Sequence, residues 1–279
     1  MNTLNKLSGG IDIGLSPHDL AVRLMGSWIS AIADQVKNPV AGITAAASLI
    51  DNQMTRFRAS LPWEPALVEE AARLMIERLA KFDNYLAELS GFTRPVALDL
   101  QWLDLRAEWK SIEQFLARRI TTEFWLRIKF DGTGMIYADS DRLRGALASI
   151  VTNSIDASGS TINPELVVNI SHSTETAAVA GGCRIHIADN GPGFSNEAMA
   201  QALVPFFTTK EAGTGLGLAM VEKHMRAHGG SIIYGNCSAE FYADGCAVES
   251  VVESAAHHPV GAFVELFFPS PSNLAVSKS

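Results

Sequence analysis

Two glycine-rich segments that follow each other closely constrain this chain more than any other feature of its sequence. The first reads Asp189-Asn190-Gly191-Pro192-Gly193 and the second Gly213-Thr214-Gly215-Leu216-Gly217-Leu218, with the aromatic segment Pro205-Phe206-Phe207-Thr208-Thr209-Lys210 between them. The Asp189 carboxylate can accept a hydrogen bond from an amino group, and the glycines after it let the backbone turn tightly against a flat ligand. The second segment offers bare amide groups where a helix is predicted to begin, which favours phosphate oxygens. Together the segments predict an ATP pocket.

A third element lies upstream, in residues 139–144 and 150–157. Apolar residues at helical spacing predict a helix that residues 139–141 begin and cap; they are Leu143, Leu147, Ile150, Val151 and Ile155. The amide oxygen of Asn153 on this helix could complete the octahedral shell of a phosphate-bound magnesium ion. Each residue alone fits ordinary capping or a solvated surface, and their order and spacing favour a site.

In that order and spacing, residues 139–235 resemble the catalytic and ATP-binding domain of sensor histidine kinases. The domain belongs to the superfamily shared with gyrase, the large heat-shock chaperone and mismatch-repair ATPases, so the resemblance implies ATP and magnesium as cofactors. It implies that Asn153 is the magnesium residue and that Asp189 reads adenine. The other implied positions are the supporting turn at Gly191 and Gly193, the lid residues Phe206, Phe207 and Lys210, and the phosphate-binding box of Gly213, Thr214, Gly215, Leu216 and Gly217.

Length, charge and hydropathy exclude several classes of protein. The 279 residues, 47% of them hydrophobic, suffice for two globular domains, and the net charge of −8 argues against a nucleic-acid-binding surface. No stretch reaches the roughly 18 apolar residues of a membrane span, and the start lacks a secretory segment. We therefore expect a cytoplasmic protein that takes its input from a partner, such as an upstream sensor in trans. Three widely spaced cysteines, Cys183, Cys237 and Cys246, indicate reduced structural thiols.

Before the glycine-rich region the pattern is helical. After a loose leader at 1–15, Ser16-Pro17-His18-Asp19 predicts the start of a long helix that runs to about Arg58. A second helix is predicted from about Ala66 to Phe92, because apolar residues repeat there with spacings of four and three: Met75, Leu79, Phe82, Leu86 and Leu89. Two such helices bury their apolar stripes best by pairing with a second copy, so residues 16–92 predict a dimeric four-helix bundle. The alternative is a hairpin folded back on the same chain's ATPase domain.

The remaining chain predicts an α+β protein in which an α/β sandwich ATP-binding domain, residues 104–270, follows a linker at 93–103 and precedes a tail at 271–279. A helix is expected from about Asp104 to Arg119, and strands at 122–130, 166–171, 184–188, 231–234 and 262–268. The connection from Gly235 to Gly261 is longer than a hairpin needs, and no function is evident for it.

The first helix resembles the phosphoacceptor helix of histidine kinases but lacks the histidine. The resembling segment is Asp34-Gln35-Val36-Lys37-Asn38-Pro39-Val40, in which Asp34 occupies the histidine position. Imidazole is a good nucleophile, whereas an aspartate is already anionic, is repelled by triphosphate and would form an acyl phosphate only with metal help. Gln35 cannot act as a base. We therefore expect no ordinary autophosphorylation, and no other histidine offers a substitute.

Asn38 leaves a second activity open. The resemblance implies a phosphatase element at this position, which orients water toward the aspartyl-phosphate of a response regulator receiver domain. The other interpretation is that Asn38 only precedes Pro39 at a helix kink.

Four functions are compatible with this sequence. The first is a pseudokinase that binds ATP and magnesium and acts on a two-component partner by docking or dephosphorylation. The second is a kinase that phosphorylates a histidine on a partner in trans. The third, a free-standing ATPase, is disfavoured because Ser149 stands where such relatives carry a glutamate base. The fourth is a histidine kinase in which Asp34 is an engineered change.

Overall fold

The chain divides into two compact units, Met1–Gly91 and Phe92–Ser279. The computed structural model describes residues 17–117, 125–158, 161, 164–173, 181–210, 213–237 and 261–271. The predicted leader at 1–15, most of the 235–261 connection, Cys246 and all but the start of the tail lie outside the described residues. Within these residues, no helix has the length and apolar character to cross a membrane.

The first unit is a helical hairpin. Helix α1 spans Pro17–Arg58 and α2 spans Pro65–Thr93, close to the predicted extents. The turn between them is held by hydrogen bonds to side chains of α1, since Gln53 accepts from the Glu64 amide at 2.9 Å and Arg56 donates to the Pro62 carbonyl at 2.6 Å. Ala46, Ala71 and Tyr85 are buried inside the hairpin.

Much of the apolar surface of this hairpin stays exposed. The exposed side chains lie on both helices and in the turn: Met25, Ile29, Val40, Leu49, Phe57, Leu61, Leu74, Ile76, Leu79 and Leu86. Leu79 and Leu86 belong to the seam that the sequence predicted for bundle packing, and both are more than 40% exposed.

The second unit is a two-layer sandwich. It begins with β1 (Gln101–Asp104), α3 (Leu105–Ala117), β2 (Trp125–Asp131), β3 (Met135–Ala138), α4 (Ser140–Ala157) and β4 (Glu165–Ser173). It continues with β5 (Gly182–Asp189), α5 (Asn196–Gln201), α6 (Gly217–Ala227), β6 (Ser231–Cys237) and β7 (Gly261–Pro269). The mixed α+β class predicted from the sequence is confirmed.

The main sheet has the order β2-β4-β5-β7-β6, with β2 and β4 parallel and the other neighbours antiparallel. Alternate residues of its strands point into a core that also receives the apolar faces of α3, α4 and α6, such as Trp109, Leu147 and Met225. Cys183 is a free thiol in this core, and burial raises its pKa to about 12. The helical layer thus holds α4 and α6 against one face of the sheet.

Three short elements were not predicted. These are strands β1 and β3 and helix α5. Strand β1 begins in the segment assigned to the linker and pairs antiparallel with β3. Helix α5 follows the first glycine-rich segment. The helix expected from Asp104 to Arg119 begins one residue later, because Asp104 is still part of β1. Four-residue strands carry too little periodicity to be recognised from sequence alone.

Candidate functional site

Asp189 ends the central strand β5 at the edge of a small pocket. Its side chain is only 4% exposed, and its Oδ1 accepts hydrogen bonds from the backbone amides of Gly191, at 3.0 Å, and Ala262, at 3.2 Å. Burial raises the pKa of this carboxyl, although those two amides and the Ser154 hydroxyl partly oppose the rise. The pocket is lined by Ser154, Ile155, Ser158, Pro164, Glu165, Leu166 and Asp189. A buried carboxylate in a partly apolar pocket suits recognition of a flat ring that carries an amino group.

The first glycine-rich segment has no room for larger residues. Gly193 has φ +75°, and a Cβ there would lie 2.8 Å from Oδ1 of Asn236. Asn236 holds the next residue from both sides, since it accepts from the Phe194 amide at 2.6 Å and donates to the Phe194 carbonyl at 2.9 Å. These contacts fix the turn that follows Asp189.

Helix α4 presents one polar strip toward the second glycine-rich segment. Ser149, Asn153 and Asp156 are spaced by four and three residues and therefore share a face of the helix. A Cβ on Gly217 would lie 2.9 Å from Oγ of Ser149 and 3.4 Å from Nδ2 of Asn153. The absence of a side chain at Gly217 is what lets the start of α6 approach this strip.

The cap of α4 is the one predicted. Oδ1 of Asp139 accepts from the Arg142 amide at 3.0 Å, and Oδ2 accepts from the Asp99 amide at 2.8 Å. Burial would raise the pKa of this carboxyl, but these two bonds together with the charges of Arg142 and His228 outweigh burial and lower it. His228, at the end of α6, accepts from the Asp139 amide through Nε2 at 3.0 Å and donates through Nδ1 to the His224 carbonyl at 2.8 Å. Both histidines are buried.

The lid segment and the second glycine-rich segment interlock through their backbones. Phe206 has the unusual φ of 68°, and its amide donates to the Gly215 carbonyl at 2.9 Å. Gly215 has φ +66°, and a Cβ there would lie 2.4 Å from the carbonyl carbon of Phe206. The Phe206 ring packs against Phe92, with 6.4 Å between ring centres.

Helix α6 begins directly inside the second glycine-rich segment. Its first residue is Gly217, and the capping position, Leu216, makes no side-chain capping bond. The Leu216 amide donates to the Thr214 hydroxyl at 3.3 Å. A helix start of this kind favours anions through its amides and its dipole, as predicted for this segment.

Lys210 joins the lid to the polar strip of α4. Its Nζ donates to Oδ1 of Asn153 at 3.0 Å and to Oδ2 of Asp156 at 2.8 Å. The oxygen that the resemblance assigns to magnesium thus already binds a cationic group. An amide oxygen that already faces a cation is a ligand that magnesium accepts, so Asn153 fits the metal.

The three positions predicted on the first helix lie in the other unit. Asp34 is exposed, and its Oδ1 is 3.8 Å from Nζ of Lys37. Asn38 is exposed, Gln35 is half-buried, and Pro39 lies inside α1. Among site residues, sequence reasoning missed Ser154, Asp156 and Asn236. The spacing of three residues from Asn153 was the only available signal for Asp156.

Comparison with known proteins agrees with this geometry. Residues 138–272 match the family described as histidine kinase-, DNA gyrase B-, and HSP90-like ATPase. Over 210 residues, or 75% of this chain, the sequence is 29% identical to the sensor histidine kinase ZraS of Escherichia coli K12. Over 224 residues, or 77% of this chain, it is 24% identical to the sensory histidine kinase/phosphatase NtrB of Rhizobium meliloti. The chain spans 42% and 56% of these two relatives, respectively.

Among solved structures, histidine kinase ThkA in complex with the response regulator protein TrrA matches with a TM-score of 0.59 at 18% identity. The match covers 89% of this chain and 63% of that one, and at this identity it supports the fold alone. Residues 138–272 are therefore an ATP-binding domain of the type shared by histidine kinases, DNA gyrase B and HSP90. The similarity to sensor histidine kinases extends beyond this domain, over 75% of the chain for ZraS and 77% for NtrB.

Proposed function

We propose that this chain is a histidine-kinase-like signalling protein that binds ATP with magnesium but does not phosphorylate itself. The observation that carries the proposal is the convergence of four elements in one unit: the Asp189 pocket, the Asn153 strip, the Lys210 lid and the second glycine-rich segment. Asp189 would accept from the adenine amino group, and the amides at the start of α6 would face the phosphates. Asn153 would hold the magnesium ion, which neutralises phosphate charge when bound.

The loss of self-phosphorylation follows from the chemistry of Asp34. The side chain is exposed on α1, so access is not the obstacle. An aspartate at neutral pH repels the triphosphate, and attack on the γ-phosphoryl group would give an acyl phosphate in place of the phosphoramidate that a histidine forms. Neighbouring Gln35 supplies no base.

A protein of this kind acts on a partner. We propose a response regulator receiver domain as that partner, since ThkA was solved with a response regulator and NtrB is named as both kinase and phosphatase. Asn38 is exposed one residue before Pro39 and could orient water toward a phosphorylated receiver. The alternative is that the chain only docks the receiver domain, as a pseudokinase scaffold, and catalyses no reaction on it. A homodimer through the hairpin and an input from an upstream sensor in trans complete the proposal.

A kinase acting in trans is the second candidate. The intact pair of Asn153 and Lys210 favours it, because a scaffold has no chemical need for both. In this case the histidine would be supplied by a separate bundle or by the other subunit of a heterodimer. A natural histidine kinase with an engineered change at Asp34 would show the same site.

The first experiment measures binding of magnesium and the non-hydrolysable analogue AMP-PNP by titration calorimetry. We expect saturable binding by the unchanged chain and none by an Asp189→Ala variant that keeps its circular dichroism spectrum. A well-folded sample that takes up no nucleotide would overturn the proposal.

The second experiment restores the missing nucleophile. With labelled ATP, the unchanged chain and Asp34→Ala should acquire no acid-labile, base-stable phosphate, whereas Asp34→His should acquire it. Adding Asn153→Ala to Asp34→His should abolish the gain, which excludes label from a contaminant. Strong histidine-type labelling of the unchanged chain would rule out the loss of autokinase activity, and transfer to a purified candidate bundle would favour the trans kinase.

A further inference from the structure

We infer that Asp156 is a positioning residue of the nucleotide site, which holds the lid lysine Lys210 on the side-chain oxygen of Asn153. Magnesium and ATP must then displace an internal cation before Asn153 can serve the metal. This inference rests on the proposed binding of ATP with magnesium.

The contact geometry places one ammonium between two oxygens of the same helix. Asn153 and Asp156 lie on one face of α4, and Nζ of Lys210 is 3.0 Å from the first and 2.8 Å from the second. The amide oxygen is neutral, so it holds a lysine only weakly by itself. The carboxylate beside it supplies the charge that keeps the ammonium there.

The lid backbone directs the lysine toward this strip. The Lys210 amide donates to Oγ1 of Thr208 at 3.1 Å, and the Lys210 carbonyl accepts from the Gly213 amide at 3.1 Å. A Cβ on Gly213 would lie 2.2 Å from the same Thr208 oxygen, so Gly213 approaches Thr208 closely. These contacts fix the backbone position of Lys210.

The latch formed by Lys210, Asn153 and Asp156 is half-exposed and consequently reversible. The side chains of Lys210 and Asp156 are 37% and 52% exposed. Ion pairs with this exposure are screened by solvent and contribute little. Release of the latch should change nucleotide affinity by only about three- to tenfold.

The test removes the holding charge and keeps the shape. With magnesium and AMP-PNP, Asp156→Asn should bind about three- to tenfold more tightly than the unchanged chain, because Lys210 no longer competes for Asn153. Adenosine, which needs only the Asp189 pocket, should bind both equally. The matched control is Asp141→Asn, which removes the same charge from the other end of α4 and should change neither affinity.

A double variant separates the latch from simple charge repulsion. If Asp156 acts through Lys210, its substitution should have no further effect on magnesium and AMP-PNP binding in a Lys210→Met background. A gain of equal size in that background would mean that Asp156 only repels phosphate, and weaker binding by Asp156→Asn would mean that it ligates the metal. Either result overturns the inference.

A nucleotide-free measurement keeps the inference distinguishable from the proposed function. In protein with isotope-labelled, dimethylated lysines, the Lys210 signal, assigned by its loss in Lys210→Met, should shift in Asp156→Asn and not in Asp141→Asn. If the Lys210 signal does not shift in Asp156→Asn, the inference is wrong whether or not nucleotide binds. Failure of the unchanged chain to bind nucleotide, with a shifted signal, would instead refute the proposed function and leave the latch standing.

Discussion

At the scale of single residues, Asp189 shows how a binding site is maintained at the expense of stability. Its carboxylate is buried at the end of β5, and two backbone amides and a hydroxyl do not fully compensate for the lost water. A carboxyl that only supported the fold would be replaced at little cost by an amide that accepts the same two bonds. The anion is useful because a ligand amino group can complete its hydrogen bonding.

The first prediction concerns Asp189→Asn. Burial raises the pKa of Asp189 in the folded chain, so between the unfolded and folded pKa values the native state holds the extra proton and stability falls as pH rises. Asp189→Asn should therefore melt at an equal or higher temperature than the unchanged chain at pH 7, and this difference should shrink on acidification. Its affinity for AMP-PNP should fall by about ten- to a hundredfold. Thermal melts at several pH values measure the stability, and calorimetry measures the affinity. A melting temperature of Asp189→Asn below that of the unchanged chain at pH 7 would contradict this prediction.

At the scale of secondary-structure elements, α4 and α6 are tied together by buried polar groups away from the nucleotide pocket. His228 connects the last turn of α6 to the cap of α4, and His224 lies beside it with its Nδ1 lacking a partner among the described residues. Burial, followed by the nearby Arg142 charge, lowers the pKa of His224 to about 4. The buried polar contact between the end of α6 and the cap of α4 is therefore sensitive to acid.

The second prediction is a loss of stability between pH 6.5 and about 4 that depends on His224. The pKa of His224 is lower in the folded chain than in the unfolded chain, so neutral His224 contributes its full stabilisation above pH 6.5. As pH falls, the free energy of unfolding decreases by about 3 kcal/mol at most. His224→Leu should unfold with a smaller loss over this range, measured by urea titration at each pH. Equal slopes for His224→Leu and the unchanged chain would contradict the assignment.

The sequence predicted the parts of this unit whose signal is local. The glycine-rich segments, the Asp139 cap and the helix that carries Asn153 depend on backbone conformation and helical spacing, and the structure has them as predicted. Asp156 could not be predicted, because an acid on a helix face is usually solvated and only the return of the lid brings Lys210 to it. Ser154 and Asn236 acquire their roles from neighbours distant in sequence, one against Asp189 and one against Phe194. Strands β1 and β3 stabilise each other by pairing, which neither sequence segment reveals alone.

At the scale of the whole molecule, the hairpin leaves large apolar side chains exposed on both of its helices. The exposed leucines of α2 and the exposed isoleucine and methionine near the start of α1 form stripes that the two helices do not cover for each other. A second copy of the hairpin would bury them, as the predicted four-helix bundle requires.

The third prediction is that the dimer depends on the α2 stripe. The double variant Leu79→Glu with Leu86→Glu should be monomeric by light scattering after gel filtration, because each added carboxylate would be buried at the interface. Asn84→Glu adds the same charge on a different face of α2 and should leave the mass unchanged. A double variant that stays dimeric, or an unchanged chain that is monomeric at micromolar concentration, would exclude this interface.

The interlock between Phe206 and Gly215 also bears on how such a protein diverges. A residue retained only for chemistry is free to drift once the reaction is abandoned, whereas Gly215 is required by the backbone of Phe206 whatever the protein does. Glycines of this kind will outlast catalysis in any lineage, so their presence says little about turnover. The backbone does not require a lysine at position 210. Whether related proteins keep Lys210 would therefore indicate whether phosphoryl transfer is still under selection.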